Sequence, residues 1–318
     1  MKIGFLADLH IKLGQKNVPT EWSKNRFNML VTQILSLEYL VDMWIIGGDI
    51  FDRAPTVEEL EIYFNLVRVL GKPTYIYAGN HEALKKDTTF FTYLKNVTQW
   101  VNPLVTIIDD YHTVDGIDFI PYNKLKHFEK HGFPTSPSPI LVSHFRAEIP
   151  PHVKPEIDLN LFNQWKLVLA GDLHSYENSQ RNILYPGSPV TTSFHRSKVD
   201  TGILIVDTES LTHEFKKLDL PQLIKKTLQA GESPVATEYD HTIYDLEGDM
   251  AELSVLEDND LVDKKIIKRS TDTSLILDQE MSLEEEVSEY LKYILEINDS
   301  AVDAVIKELS NHASIIEK

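Results

Sequence analysis

Five short apolar runs, each ending in a polar string, constrain the fold of this chain more than any other feature. The runs are predicted strands and cover Lys2 to Ala7, Met43 to Ile46, Thr74 to Ala78, Ile140 to Val142 and Leu167 to Ala170. The strings that follow them are Asp8-Leu9-His10, Gly48-Asp49-Ile50-Phe51-Asp52, Gly79-Asn80-His81-Glu82, Ser143-His144 and Gly171-Asp172-Leu173-His174. Because ligands of α/β sheets gather outside the carboxyl ends of the strands, we expect these polar side chains to converge.

The residue types in these strings predict a site for two divalent metal ions. Imidazole and carboxylate ligands together favour zinc, iron or manganese over calcium. The predicted ligands of the first ion are Asp8, His10, Asp49 and His174. Those predicted for the second ion are Asp49, Asn80, His144 and Asp172. Asp49 follows two glycines that allow a tight turn, and its two carboxylate oxygens can bridge both ions. The alternative is that the strings only cap strands and turns.

A pair of metal ions at this place predicts a reaction class. Two ions about 3.5–4 Å apart activate a bridging water and bind both the attacking and the leaving oxygen of an in-line phosphoryl displacement. The predicted reaction is therefore the hydrolysis of a phosphate ester. His81 directly follows a predicted ligand and is a candidate proton donor to the leaving oxygen. Asp52 is a candidate to orient the His81 imidazole; its alternative role is a turn before the next helix.

Alternating strand and helix patterns predict an α/β fold for the first two hundred residues. Helices are expected at Glu21 to Tyr39, after Thr56 as a cap, and at Asp87 to Asn96. Beyond Trp100, short strand patterns predominate. Together these patterns predict two facing mixed β-sheets flanked by helices.

A domain boundary is predicted near Leu218, where Asp219-Leu220-Pro221 interrupts the last strand of the first part. Residues 1–218 are the predicted catalytic domain, and residues 219–318 are predicted to form a small α+β capping domain. The elements expected in this second part are strands at Tyr239 to Leu246, Lys264 to Lys268 and Ser274 to Leu277, and helices at Ser282 to Leu295 and Ser300 to His312.

The acidic charge of the chain lies almost wholly in this second part. The formal net charge is −18 over 318 residues. Residues 1–218 contain 22 Lys and Arg against 25 Asp and Glu, a balance of −3, whereas residues 219–318 contain 9 against 24, a balance of −15. The acidic region is either a solubilising surface or a docking surface for a basic partner.

Three absences narrow the class of protein. There are no cysteines, which excludes disulfides and a Cys-ligated zinc site. No run approaches the roughly 20 apolar residues that span a bilayer. The N-terminus lacks the charged and apolar segments of a signal peptide. We therefore expect a cytoplasmic protein, in a bacterium or a phage-infected host cell, without contact to a membrane.

Over roughly residues 1–218 the strings resemble the motifs of the calcineurin-like metallophosphoesterases. That pattern is D-x-H, G-D-x-x-D, G-N-H-[DE], H and G-H-x-H, and the chain matches it at every block but the last. Three further features are similar to the SbcD-type repair and recombination nucleases. They are Ala-Asp-Leu-His near the N-terminus, Gly-Asp-Ile-Phe-Asp followed by a proline, and Tyr-Pro-Gly-Ser-Pro with a later Ser-Phe.

The resemblance implies a DNA nuclease that uses two divalent ions, Mn²⁺ first and Mg²⁺ as the alternative. It also implies a homodimer that works with a large SbcC-type coiled-coil ATPase, and compact versions of this pair occur in bacteriophages. The departure is at Asp172, which stands where the family has a histidine. A carboxylate favours harder cations, so the second ion is expected to bind less tightly or with different selectivity.

The function expected from these features is exonuclease activity on double-stranded DNA, with endonuclease activity on single strands, in DNA repair, recombination or replication. Phosphate contacts dominate DNA affinity, and the candidate cations are Lys85, Lys86, Lys124, Lys126 and Arg196. A chain of net charge −18 needs a partner to supply most of the affinity for DNA. The alternatives are a phosphatase or cyclic-nucleotide phosphodiesterase of the same fold, and a metal-poor scaffold that binds other proteins.

Overall fold

The computed structural model describes residues 1–85, 88–134, 136–254, 259–267, 281–295 and 297–316. The chain divides into two compact units. The first consists of Met1–Lys226 and Pro234–Tyr244, and the second of Thr227–Ser233 and Asp245–Lys318. The functional boundary predicted near Leu218 stays a prediction.

The described residues form sixteen strands and seven α-helices, numbered in chain order. The strands are β1 Lys2–Leu6, β2 Met43–Gly47, β3 Thr74–Tyr77, β4 Ala83–Lys85, β5 Thr88–Thr89, β6 Val105–Ile108, β7 His112–Val114, β8 Ile117–Ile120, β9 Ile140–His144, β10 Leu167–Gly171, β11 Ile183–Leu184, β12 Gly202–Asp207, β13 His213–Lys217, β14 Leu223–Gln229, β15 His241–Gly248 and β16 Val262–Ile267. The helices are α1 Thr20–Ser36, α2 Val57–Val69, α3 Phe90–Val101, α4 Tyr122–His131, α5 Met250–Ser254, α6 Leu283–Glu289 and α7 Asp299–Ile316.

Two large mixed sheets face each other in the first unit. One has the order β13-β12-β1-β2-β3-β6, in which β1, β2, β3 and β6 are parallel to one another and β12 is antiparallel to both of its neighbours, β1 and β13. The other has the order β11-β10-β9-β8-β7, with only β7 antiparallel. Apolar residues of both sheets form one buried cluster, which includes Phe5, Ile45, Phe119, Val142 and Leu169. The predicted fold of two facing mixed sheets is confirmed.

Helices cover the outer face of the six-stranded sheet. Phe27 on α1, Tyr63 on α2 and Phe91 on α3 are buried in a second cluster together with Leu6 and Ile46 of that sheet. Long apolar side chains at helical spacing bury one face of each helix against the sheet. Since both faces of its central strands are covered, these strands are continuously apolar, as parallel sheets require.

The helix boundaries agree only in part with those predicted from the sequence. The predicted cap at Thr56 is confirmed, because its hydroxyl accepts the Glu59 N–H at 3.3 Å and the Glu59 carboxylate accepts the Thr56 N–H at 2.7 Å. The helix expected at Glu21 to Tyr39 ends at Ser36, and a 3-10 turn follows. The helix expected from Asp87 begins at Phe90, and Asp87 itself lies outside the described residues.

In the second unit, a capping box starts α6: the Ser282 hydroxyl accepts the Glu285 N–H at 3.3 Å. A π-helical turn, Tyr290–Ile294, follows, and α7 begins at Asp299. Strands β14, β15 and β16 form a three-stranded sheet in that order. The strand expected at Ser274 to Leu277 lies outside the described residues. Within the described part of the chain, no helix is long and apolar enough to cross a membrane.

Candidate metal centre

The polar strings follow the carboxyl ends of strands in both sheets. Strands β1, β2 and β3 end just before Asp8, Asp49 and Asn80, and β9 and β10 deliver His144 and Asp172 from the facing sheet. Four non-glycine residues in these strings have positive φ: Asp8 at 57°, His10 at 45°, Asp49 at 49° and Asp172 at 99°. Such left-handed backbone costs energy and clusters at functional sites. The sequence therefore tolerates strain at the places where the side chains turn inward.

Asp8, His10 and His174 form the first group of side chains that could hold an ion. Their ligand atoms lie within 4.8 Å of one another. His10 Nε2 is 3.1 Å from His174 Nε2 and 3.8 Å from Asp49 Oδ2. All four residues predicted for the first ion are thus close together, and Asp8 and His10 are buried.

Asp8, Asp49 and His144 form a second such group, also within 4.8 Å. His144 Nε2 lies 3.4 Å from Asp49 Oδ2 and 3.9 Å from Asp172 Oδ1. One terminal atom of the Asn80 amide lies 3.0 Å from His144 Nε2, 3.0 Å from Asp49 Oδ2 and 3.3 Å from Asp172 Oδ1. The predicted ligands of the second ion, Asp49, Asn80, His144 and Asp172, therefore lie close together. Asp8, which was predicted only for the first ion, lies beside them.

The three inward-facing imidazoles share an orientation that is typical of metal ligands. In each, Nε2 faces the centre while Nδ1 has an oxygen neighbour: the Gly47 carbonyl at 2.9 Å for His144, the Thr192 hydroxyl at 3.0 Å for His174, and Asp52 Oδ1 at 3.5 Å for His10. Metal-bound histidines almost always have their second nitrogen held by a hydrogen bond, which fixes the ring and its tautomer. His144 and His174 have such a bond, whereas His10 Nδ1 only approaches Asp52 and makes no hydrogen bond to any residue that the structure describes.

The electrostatics of the centre also fit a bound cation. Burial raises the pKa of Asp8 well above its usual value, against the attraction of His144, and the charge of Asp49 adds to the rise. Burial also raises the pKa of Asp172. For Asp49 burial opposes ionisation, but the charge and hydrogen bond of His144 and the charge of His10 lower its pKa to about 2. Three carboxylates gathered out of water are stabilised by a divalent ion, whose charge would dominate the site.

The pKa values of His174 and His144 move in opposite directions. Burial, together with the charge of His10, lowers the pKa of His174 to about 4. A neutral imidazole is the form that binds a metal. The pKa of His144 is raised well above its usual value, because the attraction of Asp49 outweighs the effect of burial. A cation between these groups would replace the proton of His144.

His81 lies at the open side of the centre. Its Nδ1–H donates to the main-chain carbonyl of Asp52 at 2.6 Å, and its Nε2 is 3.8 Å from Asp49 Oδ2. Its side chain is 37% exposed, so a substrate can reach it. His81, His10 and Asp49 also form a group that could hold an ion, which makes a ligand role the alternative to a proton donor.

The structure corrects the expected contact between the Asp52 carboxylate and His81. The carboxylate lies 2.7 Å from Lys12 Nζ and 3.5 Å from His10 Nδ1. The nearby His10 imidazole, together with Lys12, keeps the pKa of Asp52 below its usual range. His81 Nδ1–H already donates to the main-chain carbonyl of Asp52. The Asp52 carboxylate instead forms an ion pair with Lys12.

Sequence reasoning assigned no role to Glu82, which the structure shows to be a buried anchor. Its carboxylate accepts the N–H groups of Asp49 at 2.9 Å, Phe51 at 2.9 Å and Gly79 at 2.8 Å. Burial, with the charge of Asp49, raises its pKa to about 7. The only trace of this role in the sequence was the acidic residue at the end of Gly79-Asn80-His81-Glu82. Through these hydrogen bonds Glu82 joins the loops that follow β2 and β3.

The candidate DNA-binding residues lie in different surroundings. Lys85 is exposed on β4, and Arg196 is exposed in the loop before β12. Lys124 is partly buried on α4 and forms an ion pair with Asp110 at 3.4 Å. Lys86 lies outside the described residues. Lys126 lies on α4 and is exposed. Lys85 and Lys126 both line a cavity beside the centre.

Two facing mixed sheets that bring Asp, Asn and His ligand atoms together at their carboxyl ends define a phosphoester hydrolase that uses divalent metals. The chain belongs to the calcineurin-like phosphoesterase family, whose sequence model matches residues 1–201. The family membership predicted from the motifs is confirmed.

Viral proteins are among the relatives. "Probable exonuclease subunit 1" of Escherichia phage T5 is 39% identical over 323 residues, which cover 98% of each chain. A protein of Invertebrate iridescent virus 6 with a phosphoesterase name is 25% identical over 71% of this chain and 82% of its own. A solved structure from Thermus thermophilus aligns with 68% of this chain and 98% of its own, at 11% identity and a TM-score of 0.43.

Proposed function

We propose that the chain is a DNA nuclease that hydrolyses phosphodiesters with a water activated by two divalent ions, Mn²⁺ first and Mg²⁺ as the alternative. The observation that carries this proposal is the set of three imidazoles: the Nε2 atoms of His10 and His144 lie near Asp49 Oδ2, and His174 Nε2 lies 3.1 Å from His10 Nε2. An oxygen atom neighbours each Nδ1. DNA as the substrate is supported by the full-length relative, which is named an exonuclease subunit. We propose exonuclease action on double strands and endonuclease action on single strands.

Each polar group has a role in this proposal. The first ion would be held by Asp8, His10, Asp49 and His174, and the second by Asp49, Asn80, His144 and Asp172. When bound, the ions would supply an activated water and charge stabilisation for the phosphoryl displacement. His81 would donate the proton that the leaving oxygen requires, from Nε2, while the Asp52 carbonyl holds its Nδ1.

The proposed partners follow from the same relative, because a subunit implies an assembly. We propose an SbcC-type coiled-coil ATPase as the partner, residues 1–218 as the nuclease domain, and residues 219–318 as the capping domain. We also propose that the chain forms a homodimer. Exposed apolar side chains on α3 support this proposal, since Tyr93 is 69% and Trp100 80% exposed. The place of action would be the cytoplasm of a bacterium or phage-infected host, in DNA repair, recombination or replication.

One experiment separates this function from its alternatives. The purified protein is incubated with Mn²⁺ and end-labelled linear DNA, and separately with a phosphate monoester and a cyclic nucleotide. Release of nucleotides that a chelator abolishes supports the nuclease. Hydrolysis of the monoester or cyclic nucleotide with the DNA intact would establish a phosphatase or cyclic-nucleotide phosphodiesterase instead. No hydrolysis of any substrate, with or without Mn²⁺, would favour the protein-binding scaffold.

A further inference from the structure

A cavity of about 650 Å³ lies between β4 and α4, outside the set of metal-binding candidates. Tyr122 forms part of its wall, and the edge of the Tyr122 ring meets the His144 ring with centroids 6.3 Å apart. Ala83, at the start of β4, donates its N–H to the Asn80 carbonyl at 3.2 Å. The cavity therefore begins directly beside the predicted ligands of the second ion.

The lining of this cavity is basic. Lys85, Lys126 and Lys130 line it with exposed side chains. Among the described residues, no carboxylate forms an ion pair with any of these three amino groups, whereas Lys124 on the same helix is paired with Asp110. One of the two acids in the lining, Glu156, accepts the Tyr122 hydroxyl at 2.9 Å; the other is Glu129. Three lysines against two acids give this lining a formal charge of +1 with its histidines neutral, on a chain whose net charge is −18.

We propose that this cavity binds one strand of nucleic acid next to the phosphate that is cleaved, with Lys85, Lys126 and Lys130 contacting its phosphates. This inference rests on the proposed nuclease function. Lysines that face a groove contact phosphates independently of base sequence. Grooves that bind single strands combine such cations with aromatic or apolar surface for the bases. Tyr122 and Leu84, which is 50% exposed, supply that surface here.

The size of the cavity selects a single strand. About 650 Å³ lies within the roughly 300–1,000 Å³ of pockets that enclose one small molecule. That space holds one or two nucleotides of one strand, whereas a duplex would have to open at its end first. The proposal therefore includes a preference for DNA ends with a single-stranded overhang over blunt ends.

The test is a charge reversal of two exposed lysines, Lys126→Glu with Lys130→Glu. The matched control is Lys2→Glu with Lys166→Glu, which changes the net charge equally. Both control residues are exposed and stand at the amino ends of β1 and β10, away from the strand ends that carry the metal centre. Binding is measured with a phosphorothioate single strand that resists cleavage, at several salt concentrations. Hydrolysis of bis(4-nitrophenyl) phosphate with Mn²⁺ reports the metal centre itself.

For the cavity variant we expect a Kd at least about tenfold higher. Its slope of log Kobs against log salt should fall by about 1.4, since each single-strand phosphate contact contributes about 0.7. The control should bind like the native chain, and both variants should hydrolyse the small diester at the native rate. Loss of affinity should be smaller for a blunt duplex than for the single strand.

Equal strand affinity for the cavity variant and the control would overturn the cavity proposal, even if the native chain cleaves DNA. An equal loss of affinity on blunt duplex and single strand would overturn its preference for one strand. If the lysines prove to bind the strand but the native chain leaves DNA uncut, strand binding by the cavity stands, whereas the nuclease proposal fails and with it the placement of the strand beside a cleaved phosphate. The two proposals can therefore fail separately.

Discussion

At the scale of single residues, the three inward-facing imidazoles differ in what neighbours their outer nitrogen. His144 has a main-chain carbonyl, His174 a hydroxyl and His10 a carboxylate. A carboxylate beside the outer nitrogen can orient the His10 ring toward a metal, so we expect the first ion to depend on Asp52 through His10. This dependence distinguishes two roles for Asp52, one at the metal and one at His81.

Asp52→Asn should weaken metal binding about 10–100-fold, the usual effect of removing an outer-shell partner. The rate at saturating Mn²⁺ should stay near the native value, because Asp52 contacts His81 only through its main-chain carbonyl. Activity measured over a range of Mn²⁺ concentrations separates these quantities. A lower rate that excess Mn²⁺ does not restore would show that the carboxylate acts on His81 after all.

Asp49→Ala should abolish hydrolysis and loosen both ions, because its Oδ2 is near His144 at 3.4 Å and His10 at 3.8 Å. One carboxylate shared between two ions cannot be lost without affecting both. Metal content per chain after dialysis is the measurement. Loss of one ion with the second unmoved would disprove the bridging role.

His81→Ala should cut turnover by about 10²–10⁴, the weight of a general acid, while leaving metal content nearly native. The physical reason is that the His81 side chain is 37% exposed at the open side of the centre, whereas the predicted ligands Asp8, His10 and Asp49 are buried. Turnover and metal content are measured on the same preparation. A loss of metal in step with the loss of rate would assign His81 as a ligand.

At the scale of elements, Glu82 connects the loops after β2 and β3, and both loops carry predicted ligands. Glu82→Ala should lower the free energy of unfolding by about 3 kcal/mol or more, since three buried N–H groups lose their acceptor. Glu82→Gln should lose less, because one amide oxygen can still accept from Asp49 and Gly79. Urea unfolding measures both, with exposed Glu61→Ala as the control. Equal losses for the two Glu82 variants would contradict this account.

The convergence of the ligands was predictable because it depends only on strand order and on the carboxyl ends of parallel strands. Apolar runs such as Thr74 to Ala78 mark those ends in the sequence. The direction of the Asp52 carboxylate was not predictable, because it depends on Lys12 and His10. These two residues follow β1 and reach Asp52, which follows β2, only in the folded chain. The role of Glu82 was not predictable either, since its three partners are main-chain N–H groups of two loops that come together only in the folded chain.

At the scale of the whole molecule, the acidic second unit raises the question of what its terminal helix does. Within that unit α6 and α7 contact each other, and Val302 on α7 is fully buried. Val305 on the same helix is 44% exposed, as are Tyr290 at 47% and Tyr293 at 52% on the preceding turn. Exposed apolar side chains within an acidic surface suit a partner that carries basic and apolar groups.

We therefore expect truncation after Asp299 to leave Mn²⁺-dependent cleavage of short DNA largely intact and to weaken binding of the partner ATPase. Full-length Val305→Glu is the matched variant, because it changes the exposed side of α7 and keeps the buried Val302. Partner affinity is measured by titration, and cleavage by release of nucleotides. Equal partner affinity for the native, truncated and Val305→Glu proteins would contradict docking through α7. Loss of cleavage on truncation alone would instead show that α7 is needed to hold the fold.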